Sequence, residues 1–224
     1  SMLMRLQILD LEACAGLGGS LDNLHGLRNL EKLNVCDTPL VGAEVFNAKH
    51  LGGAGRCQVG RVTVPGETTP LWIAAADGHL RTARLLLEAG VEVDRARTDD
   101  GATPLIQASV QGFADMVELL LDHGADVNKP KHNGVTALFM AAQNGRVNVA
   151  QVLLEHQADT GLCDQQGRSP LIMAANNGNL EVVRLLLAQG ADKNKKAAGR
   201  TALGWAVKNG HEEVAALLRA HGAT

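Results

Sequence analysis

The sequence predicts a mainly α protein: a solenoid of helix-turn-helix units joined by hairpin loops, preceded by a short α/β cap of two to three turns. Three observations predict it. Thr69-Pro70-Leu71, Thr103-Pro104-Leu105, Thr136-Ala137-Leu138, Ser169-Pro170-Leu171 and Thr201-Ala202-Leu203 recur at intervals of 34, 33, 33 and 32 residues. Gly78, Gly112, Gly145, Gly178 and Gly210 keep the same step, as do Leu85, Leu119, Val152, Leu185 and Leu217. Such columns in phase mark one supersecondary unit whose copies bury a core only by stacking. Upstream the period changes: Leu6, Leu9, Leu11 and Cys14 match Leu30, Leu33, Val35 and Thr38 at a spacing of 24.

The upstream segment comes first in the chain. Its step also carries Gly18 to Gly42, Leu21 to Val45, Asn23 to Asn47 and Leu27 to Leu51, and continues weakly to Ala54, Cys57, Val59 and Val62. Each turn reads as a short strand with a looser return. At least about three repeats are needed for stability, so residues 1–64 are expected to pack on the first helix-turn-helix unit and cap it. Residues 65–224 then divide at about 65–97, 98–131, 132–164, 165–196 and 197–224. In each unit the Thr or Ser hydroxyl caps a helix start, and proline at the first helical position sacrifices no hydrogen bond. The pairs Ala74-Ala75, Ala141-Ala142 and Ala174-Ala175 let that helix lie close to its neighbours. The glycine ends it in a left-handed conformation. A second helix comes next, as at Leu180 to Leu187, and Gly-Ala-Asp turns the chain out at Gly124-Ala125-Asp126 and Gly190-Ala191-Asp192.

Residues 65–224 on these motifs resemble the ankyrin-repeat family, and the upstream segment resembles the leucine-rich repeat. The ankyrin pattern usually has histidine after Thr-Pro-Leu. Trp72, Ile106, Phe139, Ile172 and Gly204 stand there instead. Gln157 occupies the turn glycine's place, and Gly161 that of the usual hairpin Asp or Asn. A left-handed backbone at Gln157 would cost roughly 1 kcal/mol, which makes the third hairpin the expected soft point. In the last unit Glu212 replaces the column Leu80, Ala114, Val147 and Leu180, while Arg219 replaces Leu87, Leu121, Leu154 and Leu187. Terminal repeats need such a polar outer face, so the array is expected to end there.

At 224 residues the chain forms one elongated domain or two small compact ones. The net charge of −3 offers no basic field for a nucleic-acid backbone, and aromatic stacking residues are lacking. Four scattered cysteines without a Cys-x-x-Cys pair favour a reducing, intracellular setting, cytoplasmic or nuclear. No apolar run approaches the roughly 18 residues of a membrane span. Ser1-Met2 reads as an expression remnant, with native sequence expected ahead of it.

No phosphate loop, His-Glu-x-x-His or Gly-x-Ser-x-Gly is present. No catalytic or metal-binding residue, cofactor or small-molecule substrate is therefore expected, and the chain is not read as an enzyme. His79 and His211 come directly after the inter-helix glycine and read as structural; Cys14 reads as a buried ladder residue, and Cys163 as an exposed hairpin thiol. Trp205 lies on the inward column and reads as core, whereas Trp72 reads as either core or a partly exposed anchor. Asp77, Gln111, Asn144, Asn177 and Asn209, just before the glycines, form a polar ladder best read as helix caps.

The resemblance implies a protein partner, bound on the concave surface made by hairpin tips and first helices. Its first-helix residues are Trp72, Ala76, Val110, Gln143, Asn176 and Lys208. The first tip carries Arg95, Arg97, Asp99 and Asp100, and the second Lys129, Lys131 and His132. The third carries Asp164, Gln165 and Gln166, and the fourth Lys193, Lys195, Lys196 and Arg200. Two basic tips flanking a neutral-to-acidic one read as solubilising charge or as recognition of an acidic partner segment. The expected role is a scaffold or adaptor. The alternative is a regulatory or targeting arm of a larger multidomain enzyme or receptor.

Overall fold

The computed structural model describes residues 68–224, together with the backbone of two short strands, β1 (Ile8–Asp10) and β2 (Lys32–Asn34). The chain forms two compact units, Ser1–Asp99 and Asp100–Thr224.

In the first unit β1 and β2 pair in parallel, Ile8 opposite Lys32, Leu9 opposite Leu33 and Asp10 opposite Asn34. That offset of 24 residues is the step found upstream in the sequence. The rest of residues 1–64, and with it the leucine-rich reading of the whole segment, lies outside the described residues. The same unit holds α1 (Pro70–Asp77) and α2 (Leu80–Glu88), packed on each other. Thr69 Oγ1 accepts a hydrogen bond from Trp72 N at 3.1 Å to start α1, and Gly78, at φ 75°, ends it.

The second unit is four helix pairs: α3 (Pro104–Gln111) with α4 (Ala114–Asp122), α5 (Ala137–Gln143) with α6 (Val147–Glu155), α7 (Pro170–Asn176) with α8 (Leu180–Ala188), and α9 (Ala202–Lys208) with α10 (Glu212–Ala220). First helices stack on first helices, second on second, and each pair packs internally. The expected caps are all made. Thr103, Thr136, Ser169 and Thr201 accept from Ile106, Phe139, Ile172 and Gly204 N–H at 3.2 to 3.3 Å. Each satisfies a donor the helix start would otherwise leave unpaired.

The hairpins are tied between units by asparagine. Asn128 Oδ1 accepts from Asp159 N at 2.9 Å, and Asn194 Oδ1 from Thr224 N at 3.1 Å. Gly161 has no side chain for this task. Lys195 Nζ instead donates to its carbonyl at 3.0 Å. Gln157 takes the left-handed conformation expected of it, φ 63°. The fourth tip is one residue shorter than the third, which explains the 32-residue interval. Asp164 N bonds Arg168 O across four residues, whereas Ala197 N bonds Arg200 O across three. Its central pair, Ala198 and Gly199, sits at φ 49° and 75°, as a two-residue hairpin turn requires.

The outer face of the last unit is polar on one helix only. Glu212 and Arg219 on α10 are exposed as expected. On α9, however, Val207 is 53% exposed, while Ala142 and Ala175 in the same column are fully buried.

This packing is open to test at the third hairpin and at the last unit. Gln157→Gly removes left-handed strain of about 1 kcal/mol. Gly161→Asn supplies the missing tie to the next turn, also about 1 kcal/mol. An added Cβ at 161 would meet Asp159 Oδ1 at 3.1 Å. The same Asx turn accommodates asparagine at Asn128 and Asn194, with bonds of 2.9 Å against 2.7 Å at Gly161, so a small relaxation suffices. Both variants should raise the denaturation midpoint, and a lower midpoint for Gly161→Asn would refute the missing-tie account. Separately, Glu212→Leu with Arg219→Leu should join Val207 into one apolar face and drive self-association. Unchanged particle size by light scattering would remove the capping role of these two residues.

Candidate binding surface

Val110, Gln143, Asn176 and Lys208 fall in one column at the ends of α3, α5, α7 and α9, the first three half-buried and Lys208 exposed. Ala76 holds the same place on α1 and is half-buried. The backbone beneath the column is gripped by the following unit. Val110 O accepts from Arg146 Nε at 3.1 Å. Gln143 O accepts from Asn177 Nδ2 at 2.7 Å and Asn179 Nδ2 at 3.1 Å. Asn176 O accepts from Asn209 Nδ2 at 2.8 Å and pairs with His211 Nε2 at 3.0 Å. These bonds satisfy carbonyls that a helix end leaves open.

Capping is therefore only part of what the asparagines do. Asn144, Asn177 and Asn209 cap their helices through the backbone, as the sequence implies. The amides of Asn177 and Asn209 additionally bridge to the preceding unit. The inter-helix glycines also have a second task. A Cβ at Gly112, Gly145 or Gly178 would come within 2.9, 2.8 or 2.6 Å of Arg146, Asn179 or His211. Those bridging side chains occupy the space that glycine leaves. The structural role expected of His211 is this one.

The two tryptophans differ in how they meet expectation. Trp72 is only 8% exposed, so the partly exposed anchor is corrected to core. The Arg97 guanidinium lies 5.1 Å from its ring centroid and is paired with Asp99 at 2.6 Å. Trp205, expected in the core, is half-buried. Arg200 and Lys208 lie over its ring at 5.4 and 4.7 Å. Its column explains the change, since Ile73, Gln107 and Met140 at the same place are half-buried too. Gly204, lacking a side chain, leaves the space above the helix start to Arg200, whose Cβ would be 3.3 Å from a Cβ there.

Of the basic tip residues, several are engaged in holding the stack. Lys131 Nζ pairs with Asp100 Oδ2 at 2.5 Å, and Lys195 donates to Gly161 O. Arg95 and Lys129 are half-buried, and His132, Lys196 and Arg200 are exposed. In the third tip Asp164 is buried and takes Arg168 at 2.7 Å through Nε. Cys163, expected exposed, is half-buried, its thiol donating to Gly161 O at 3.4 Å.

Among the described residues no group of His, Cys, Asp and Glu is arranged to hold a metal ion, and no helix is long and apolar enough to cross a membrane. The surface offers amides, cations and a half-buried indole, and of these tryptophan and arginine are enriched where proteins bind proteins. No curated protein matches the chain. The family model for ankyrin repeats (3 copies) matches residues 48–131, 71–164 and 138–224. With these matches covering most of the chain, and capped helix pairs stacked in register within residues 100–224, the chain belongs to the ankyrin-repeat family.

Proposed function

We propose that the chain is a scaffold or adaptor that holds another protein along the hairpin tips and first-helix ends of residues 100–224. The observation that carries this reading is the gripped column. Val110, Gln143 and Asn176 project from backbone whose carbonyls are fixed by the next unit, so a partner meets a preformed surface and little ordering entropy is lost on binding. The column changes character along its length, from apolar Val110 through the amides of Gln143 and Asn176 to cationic Lys208. Such variation on a constant frame gives selectivity without altering the fold. Ankyrin repeats are generally protein-interaction modules, and nothing in the sequence motifs calls for chemistry beyond binding.

The partner is read as presenting an acidic segment to the exposed cations. Rim charges act chiefly on association rate, and they are screened over about 8–10 Å at physiological ionic strength.

A photo-crosslinking residue at Gln143 should capture the partner, whereas the same residue at exposed Glu118 on α4 should not. Equal capture from both positions would overturn the assignment of this face. With the captured partner, raising salt should slow association markedly and change dissociation little. An association rate indifferent to salt would remove the acidic segment.

A further inference from the structure

We infer that Trp205, Arg200 and Lys208, with Lys196 beside them, form a recognition site for a glutamate- or aspartate-bearing peptide segment. The inference rests on the protein-binding reading and assigns the acidic contact to the last repeat.

Three cation-on-ring arrangements among the described residues can be compared. Arg97 over Trp72 is paired with Asp99, and the ring is buried. Arg168 lies 5.9 Å from the Phe139 centroid and is held by Asp164 at 2.7 and 2.5 Å; that ring is 1% exposed, enclosed with Val135 and Met173. Both are closed, neutralised structural contacts. The third is open: Arg200 and Lys208 share the half-buried Trp205 ring, and among the described residues neither has a carboxylate partner.

The reason is local and lies in the shortened tip. The residue whose N–H closes the third tip is Asp164, and its side chain ties down Arg168. The residue that closes the fourth tip is Ala197, which has no carboxylate to offer Arg200. Lys196, exposed next to it, adds further positive charge. A guanidinium and an ammonium held against one indole ring, without a counter-ion, present the complement of a carboxylate chain. An extended peptide also supplies apolar side chains for the exposed part of the ring. Nucleic acid fits less well, because a single ring gives no succession of stacking platforms and the chain as a whole is acidic.

The test uses the full chain with Trp72→Phe, so that Trp205 is the sole indole. A short glutamate-rich peptide should shift Trp205 emission saturably, with affinity falling as salt rises. A glutamine-rich peptide of the same length should not. Arg200→Glu and Lys208→Glu, both at exposed positions, should each weaken the glutamate peptide by about tenfold or more, with circular dichroism unchanged. Ala197→Asp, which supplies Arg200 with the carboxylate found at Asp164, should weaken it too.

Equal binding of the glutamine peptide would overturn the inference. So would glutamate-peptide binding that ignores both charge reversals, or an oligonucleotide that moves the emission as strongly. If crosslinking from Gln143 succeeds while the glutamate peptide fails to bind, this site falls and the protein-binding reading stands. Failure of the Gln143 crosslink would remove the broader reading itself.

Discussion

The close approach of neighbouring first helices is the constraint on which residues 100–224 depend. Ala108, Ala141, Ala174 and Ala206 are fully buried, as are Ser109, Ala142 and Ala175 in the adjoining column. Small side chains at these places let successive helices come near enough for a side chain of one unit to reach a backbone carbonyl of the last. Asn179 reaches Ala142 O at 2.8 Å in this way. A leucine at 142 would press the helices apart and break the bonds to Ala142 and Gln143 together, leaving helix-end carbonyls open as well as overpacking the contact. Ser109 shows how tight the rule is. Its hydroxyl is too buried to meet water and turns back to Leu105 O at 2.7 Å within its own helix.

The features contained within one repeat are legible in the sequence, because they are governed by local backbone chemistry. Thr and Ser caps, proline at the first helical position, left-handed Gln157 and exposed Glu212 and Arg219 all derive from residue type and period alone. The bonds that join one repeat to the next are much less legible. Arg146, Asn177 and His211 bond to residues 34 to 36 positions earlier. No residue preference encodes the separation of those atoms; it emerges from how the helices stack. The double use of the inter-helix glycines is hidden for the same reason, since left-handed φ explains them sufficiently until the bridging side chain is seen beside them.

Sequence periodicity misplaces Trp205 because a column assigns a direction and not an environment. Trp205 does lie on the column of Met140 and Met173. That column is half-buried at Ile73, Gln107 and Met140 as well, so it borders the core without entering it. Gly204 contributes no side chain, and the preceding tip residue, Arg200, leans across with its charge unpaired. The local sequence is Gly199-Arg200-Thr201-Ala202-Leu203-Gly204-Trp205, and nothing in it distinguishes an arginine held by a carboxylate from one that is not. The third tip has the same Gly-Arg-Ser/Thr arrangement, and there the arginine is bound.

Lysine and arginine in the hairpins thus serve two ends that composition cannot separate. Lys131 and Lys195 are struts, committed to Asp100 and to the Gly161 carbonyl; reversing their charge would disturb packing before it disturbed any partner. Arg200 is different in origin. Its position comes from a tip shortened by one residue, and that turn obliges Ala198 to adopt φ 49°. A non-glycine residue there costs roughly 1 kcal/mol, and asparagine or glycine would make the same turn with less strain. Strain of this size persists where surrounding structure over-determines it, and such places often carry function. Here its geometric consequence is specific: the shorter turn puts Ala197 where the longer one puts a carboxylate. The tip strained at Ala198 is also the one that leaves its arginine free to meet a partner.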